Sequence, residues 1–228
     1  MIVRIGLLRK KDGMTELAFS QRWLGRHAEL AARLPGLVRY EQNHVIDHVQ
    51  RGISYPRGPE IIDGMSMLWF DNELAMREAL QSDAARALAS DEEACFSSVR
   101  VLTIDQLEVI PPASDRPLIK RMSTLRRRDD VSAEVFRHEW RIEHARLVKR
   151  IADVRGYRQN LVVERESPKG HAVDRDQMPI DGIVELWFDD KDSLDAAFGS
   201  PQGATLMCHA REFIAEIATF LVERHVIV

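Results

Sequence analysis

The sequence predicts an α+β protein built from two tandem copies of one β-α-β-β-α-β unit, and three observations carry that prediction. The first is an internal match at an offset of 117 residues. It places Phe19, Trp23, His27, Ala28, Leu30 and Arg33 on Phe136, Trp140, His144, Ala145, Leu147 and Arg150. Tyr40, Gln42, Asn43 and Val45 fall in the same way on Tyr157, Gln159, Asn160 and Val162. One inserted residue later, Asp63-Gly64 and Leu68-Trp69-Phe70-Asp71 meet Asp181-Gly182 and Leu186-Trp187-Phe188-Asp189. The second observation is that rare residues carry the match: all 4 Trp sit in paired positions, as do two of the 3 Tyr. The third is that both copies pass through the same succession of period-two and helical-period segments.

Each copy opens with an extended apolar segment, 2–9 and 119–127. A polar turn follows, ending at Thr15 or Ser132, either of which fits a helix N-cap. Phe19, Trp23, His27, Leu30, Ala31 and Leu34 then recur at spacings of three and four, the stripe of an amphipathic helix. Phe136, Trp140, His144, Leu147, Val148 and Ile151 repeat that stripe. Strands are expected over 38–45 and 156–163, then long polar loops, then strands over 65–70 and 183–188. A second helix opens near Asp71-Asn72 or Asp189-Asp190, and a last strand closes each unit at 101–110 and 220–228. This order is the split βαβ of ferredoxin-like folds.

Three prolines in Pro111-Pro112-Ala113-Ser114-Asp115-Arg116-Pro117 make a stiff extended linker. The units are therefore 1–112 and 113–228. A four-stranded sheet with helices on one face leaves the other face bare. Two copies on one chain cover it by pressing those faces together. Met65, Met67 and Trp69 alternate with Leu68 and Phe70, so this strand is apolar on both sides, as such burial requires.

The chain has 228 residues, 45% hydrophobic and 30% charged, with a formal net charge of −4 and a pI near 6.1. That balance gives no basis for nucleic-acid or anionic-membrane binding. Arg126-Arg127-Arg128 is followed at once by Asp129-Asp130 and reads as a solvated turn. Cys95 and Cys208 form no C-x-x-C pair and fit a reducing interior. No stretch is long and apolar enough for a membrane span, and the opening residues lack the layout of a signal peptide. The expectation is a cytoplasmic protein. A homodimer of two such chains is compatible with it.

No dinucleotide, P-loop, zinc-protease or nucleophile-elbow motif is present, and no resident cofactor or metal is expected. His44, His48, His138, His171 and His225 are scattered and form no ligand pattern. What stands out is a histidine on the first helix's apolar stripe with a tyrosine thirteen residues downstream: His27 with Tyr40, and His144 with Tyr157. An imidazole titrates near neutrality and moves protons, and a phenol donates to a carbonyl or enolate oxygen. The alternative is a core histidine bonded to backbone, which duplication would also repeat.

Asn43 and Asn160 have the wrong parity to share a strand face with the tyrosines. They read as turn or edge hydrogen-bonding groups, with substrate contact the alternative. Glu185 stands where the first copy has Met67; buried, it would be an acid or base of raised pKa. Asp91 aligns with His209, so the two copies differ there. Asp63 and Asp181 read as turn formers.

The pattern F-x-x-x-W-x-x-x-H-A-x-L, then Y-x-Q-N-x-V, then D-G-x-x-x-L-W-F-D, resembles the EthD-domain family over nearly the whole chain. It lies on Phe19, Trp23, His27, Ala28 and Leu30, on Tyr40, Gln42, Asn43 and Val45, and on Asp63, Gly64 and Leu68 to Asp71, with the matched residues of the second copy. The resemblance implies an intramolecular dimeric α+β barrel and relatives that work without a cofactor. Those relatives include a methylmuconolactone methylisomerase, polyketide cyclases, fungal dehydratases and metal-free monooxygenases. It implies that His27 is the base or acid and Tyr40 the oxygen-side donor, with His144 and Tyr157 in the same roles. Trp23 and Trp69, with Trp140 and Trp187, would be pocket walls, and a small molecule would be the substrate. The helix end Leu34-Pro35-Gly36 becomes Ile151-Ala152-Asp153, which alters the second pocket's mouth. An isomerase or cyclase of catabolism is the first expectation, a cofactor-free monooxygenase the second, and a non-catalytic binding protein the third.

Overall fold

The computed structural model describes residues 1–113 and 115–228; Ser114, within the expected linker, lies outside the described residues. The first repeat contains β1 (Ile2–Lys10), α1 (Glu16–Arg22), α2 (Ala28–Ala31), β2 (Leu37–Asp47), β3 (Gly64–Phe70), α3 (Glu73–Gln81), α4 (Asp83–Cys95) and β4 (Phe96–Ile110). The second repeats the order as β5 (Ile119–Arg127), α5 (Ala133–His138), α6 (Ala145–Val148), β6 (Gly156–Glu166), β7 (Gly182–Phe188), α7 (Lys191–Gly199), α8 (Pro201–Ala210) and β8 (Ile214–Val226). Thr15 and Ser132 cap the first helices, accepting from the backbone N–H groups of Ala18 and Val135. Asn72 and Asp190 cap the second ones.

Two details differ from the sequence expectation. The closing strands begin at Phe96 and Ile214, well before residues 101 and 220, because their first residues already pair with β1 and β5. Each second helix is also broken in two. Ser82 and Ser200 sit in extended backbone, and each hydroxyl caps the following helix by accepting from Ala85 or Gly203.

All eight strands form one closed barrel in the order β1-β3-β2-β8-β5-β7-β6-β4. Each repeat supplies four antiparallel strands, and the repeats join edge to edge through β2·β8 and β4·β6. The bare faces are thus buried by closure into a barrel rather than by two flat sheets laid together. Closure also removes every strand edge. Met65, Met67 and Trp69 point into a barrel core with Ile5, Leu7, Leu102, Met122 and Phe220. The opposite parity, including Leu68, Phe70 and Tyr40, lies under the helices. Among the described residues no helix is long and apolar enough to cross a membrane.

Candidate active site

The first helix widens where its chemistry-bearing residues sit. Trp23–His27 and Glu139–His144 are π-helical turns, with Gly25 at φ −85°, ψ −111° breaking the regular ladder. Wide turns of this kind recur at functional sites. Here the widening leaves the carbonyl of Trp23 open to accept from Gln42 Nε2 at 2.7 Å, and that of Trp140 open to Gln159 Nε2 at 2.6 Å. The indoles lie flat on glycine: a Cβ on Gly64 or Gly182 would stand 2.3 or 2.5 Å from the Trp23 or Trp140 ring. That explains the glycine of the repeated Asp-Gly. Its aspartates, Asp63 half-buried and Asp181 buried, accept from the backbone N–H groups of Lys10 and Arg127.

His27 and Tyr40 line one cavity of about 220 Å³ between the helices and the outer face of the sheet. Leu34, Leu68, Phe70 and Leu88 are among its apolar lining, and Arg4, Ser66, Arg86, Glu92 and Lys169 are its other polar side chains. Lys169 comes from the β6–β7 loop of the other repeat and is held by Glu92 at 2.6 and 2.8 Å.

His27 is buried, and its Nδ1 lies 3.2 Å from Asp91 Oδ2. A carboxylate only accepts, so Nδ1 carries the hydrogen and Nε2 keeps its lone pair. Arg22 donates to the other oxygen of Asp91 at 2.6 Å. Burial lowers the His27 pKa below its usual 6.5, while Glu92 and Asp91 pull it back up. The ring is therefore neutral at pH 7 and ready to take a proton at Nε2.

Tyr40 is 1% exposed, and burial raises its phenol pKa, keeping the proton on oxygen. Its oxygen accepts from Trp23 Nε1 at 3.2 Å and from Gln42 Nε2 at 2.9 Å. With both lone-pair directions used, the O–H is left to donate to whatever occupies the cavity. Gln42 is fixed in turn by His44, whose Nε2–H donates to Oε1 at 2.9 Å while its ring stacks on Trp23 at 4.2 Å. Burial pushes His44 down to about 3, so it stays a neutral donor.

The second repeat builds the same frame differently. Gln159 donates to the Tyr157 hydroxyl at 2.7 Å, but Leu161 stands where His44 does, and Gln159 Oε1 has no partner. His144 Nδ1 faces His209 Nδ1 at 3.3 Å, and His209 Nε2 lies 3.2 Å from Glu139. Burial, with His209 beside it, lowers His144 to about 3. The cavity around it is about 40 Å³ and is lined by Phe198, Leu206, Met207 and Ile53, the last reaching across from the first repeat's loop.

The remaining expected site residues are not in either cavity. Trp23 and Trp140 are fully buried behind the tyrosines, not walls. Trp69, Trp187, Asn43, Asn160 and Glu185 all face the barrel interior. Parity decides this, since Asn43 alternates with Tyr40 and Gln42 along β2. Asn43 and Asn160 are neither turn nor edge groups: they donate to the carbonyls of Met65 and Ile183, both at 3.0 Å. Glu185 accepts from Asn160 at 2.9 Å and pairs with Lys120 at 2.6 Å. Lys120 also donates to Asn43 at 2.8 Å. Gln106 extends the chain from Asn160 to the Trp69 indole.

Gln42, Asp91, Arg22 and Lys169 join the candidate site though the sequence did not single them out for it. Gln42 shares Tyr40's parity two residues on, and Asp91 was visible as a position where the two copies differ. Lys169 had no local signal. Among the described residues no group of three or more His, Cys, Asp or Glu side chains gathers as a metal site.

Among curated proteins none matches the chain. Solved structures share the fold over nearly its full length. An anthrone oxidase-like protein aligns with TM-score 0.65 and 9% identity, over 99% of this chain and 93% of its own. A candidate monooxygenase from Fusobacterium nucleatum gives 0.64 and 7%, with the same coverage. One from Lactobacillus acidophilus gives 0.60 and 13%, over 99% and 94%. At these identities the likeness concerns the barrel alone. The EthD domain matches twice, over residues 11–98 and 128–216, on both helix–strand frames just described, and the chain belongs to the EthD domain family.

Proposed function

We propose that the first-repeat cavity is the active site of a cofactor-independent enzyme that moves a proton next to a carbonyl in a small, mostly apolar molecule. The observation that carries this reading is the buried Asp91–His27 pair opening, beside a doubly accepting Tyr40 hydroxyl, onto a cavity lined mostly by apolar side chains, with Arg4, Arg86, Glu92 and Lys169 as its charged groups. A carbonyl oxygen placed on the Tyr40 O–H leaves an adjacent carbon facing His27. Nε2 removes a proton from that carbon, and the bonding electrons move onto the oxygen as an enolate held by Tyr40. Where the substrate carries a β,γ double bond the enolate is a conjugated dienolate; the imidazolium, stabilised by Asp91, returns the proton to its γ-carbon, the double bond moves to the α,β position and the carbonyl re-forms. Atoms and charge balance without a further reactant, as an isomerase or cyclase requires.

At about 220 Å³ the cavity is below the roughly 300–1,000 Å³ of drug-sized sites, so a one- or two-ring lactone, enol or aromatic ketone is the size that fits. The names of the fold neighbours supply a second reading. In it the same enolate hands electrons to molecular oxygen and the enzyme is a monooxygenase. Solvent-deuterium exchange into such ketones, followed by NMR, tests the proton transfer. Exchange that needs His27 and proceeds without oxygen uptake supports the isomerase reading. Stoichiometric oxygen uptake supports the second. Binding without exchange or turnover would leave a carrier protein.

A further inference from the structure

We propose that one end of the barrel, apart from the His27 cavity, binds a small organic dianion: a dicarboxylate carried on a flat apolar frame. A cavity of about 730 Å³ opens there. Arg39, Arg116, Lys120, Arg158, Lys191 and Arg224 all line it, and Glu223 is the one carboxylate among its lining residues. These cations come from both repeats, and Lys120 at the floor is 1% exposed.

Their ion pairs leave charge over. Glu41 alone serves both Arg39 and Arg224. Asp189 is shared by Arg116 and by Arg155 behind the wall. Glu185 takes Lys120 and Glu108 takes Arg158. Lys191 has no ion pair among the described residues. Seven cations thus stand against five carboxylates, an excess of two positive charges on a chain whose net charge is −4. A concave, low-dielectric wall focuses such an excess on its mouth. Two of the partner carboxylates, Glu41 and Glu185, are fully buried and out of a ligand's reach, and of the four partners only Glu108 is exposed. Between the cations the wall is apolar, with Leu221, Val222, Ile119 and the linker prolines, and that suits a flat hydrocarbon frame.

Duplication does not account for the arrangement. At matched positions the first repeat has Val3 for Lys120, Glu41 for Arg158 and Met67 for Glu185. The cationic lining therefore belongs to this end of the barrel and not to the shared unit.

Isothermal titration of the full chain with phthalate tests the site, with benzoate and dimethyl phthalate as probes of one and zero charges. Phthalate is expected to bind more tightly than benzoate, and the diester not at all. Lys191→Gln combined with Arg224→Gln should weaken phthalate about tenfold or more, while Lys169→Gln, at the other cavity, should change nothing. If the double variant fails to fold, the salt dependence of the native chain decides, because affinity for a cationic mouth must fall as ionic strength rises. No binding of phthalate at millimolar concentration, equal binding of the diester, or salt-independent binding would overturn the proposal. So would loss of binding in Lys169→Gln.

Discussion

The same helix, strand and Trp–Gln–Tyr contact occur twice in this chain, yet the first repeat leaves about 220 Å³ open beside its histidine and the second about 40 Å³. Matched positions give the reason. Ala31, Ser66, Leu80 and Ala89 of the first repeat become Val148, Val184, Phe198 and Met207 in the second, each larger or more apolar. The helix–sheet core of the second repeat is one continuous cluster, whereas that of the first is divided into three. The partner of the histidine changes too, from the carboxylate of Asp91 to the imidazole of His209. Duplication supplied two frames: one is packed for stability and the other keeps a hole and a charge. Holes and buried charges both cost stability, which is why they single out the first repeat as the proposed site.

The largest expected contrast is between the two histidines. On a substrate identified by exchange, His27→Ala should lower kcat/KM by about 10²–10⁴, and His144→Ala should leave it within a factor of two, as rate measurements on both variants would show. Equal losses would break the comparison. Asp91→His, which copies the second repeat, should cost a similar factor. It should also move the acidic limb of the pH–rate profile lower, since Asp91 raises the His27 pKa. In the native chain that limb lies below pH 6.5, because the base form is already dominant at neutrality.

Tyr40→Phe should reduce kcat by about 10²–10³, since one donor to a developing oxyanion is lost, and should cost about 1–3 kcal/mol in denaturant unfolding, since Trp23 Nε1 and Gln42 lose a buried acceptor. On the stability side, Phe198→Ala opens the packed repeat and should cost about 3–5 kcal/mol in denaturant unfolding. His44→Leu, which also copies the second repeat, should cost only about 1 kcal/mol and a modest part of kcat, by freeing Gln42 to rotate.

Acid should unfold the protein in a way that follows the same groups. His44 and His144 sit near 3 when folded and near 6.5 when unfolded, so the unfolded state binds more protons between those values. Stability is whole above pH 6.5 and falls as pH drops toward 3, by about 1.4 kcal/mol per unit for each histidine. His44→Leu should make that slope shallower by one proton.

The fold was legible because rare residues repeat: indoles on glycine and Tyr-x-Gln on one strand face are demanding contacts, so both copies kept them. Parity was equally legible, and it correctly separated Asn43 from Tyr40. It did not show which partners the polar side chains on the barrel-facing side, Asn43, Asn160 and Glu185, would find there. Glu185 met Lys120 there, a pairing 65 residues apart with no local trace. Lys169 and Ile53 were hidden for a related reason, since each long loop covers the other repeat's pocket. The filling of the second pocket was written in Phe198 and Met207, but only a structure says which positions face the hole. The helix-end change at Ile151 to Asp153, which the sequence pointed to, is not what fills it.

The most direct test is a crystal structure of the full chain soaked with coumarin, a small aromatic lactone. The account predicts density in the first-repeat cavity alone, with the carbonyl oxygen on the Tyr40 hydroxyl and ring carbon facing His27 Nε2. Coumarin seated beside His144, or a His27 ring turned away with both nitrogens bonded to protein, would contradict it.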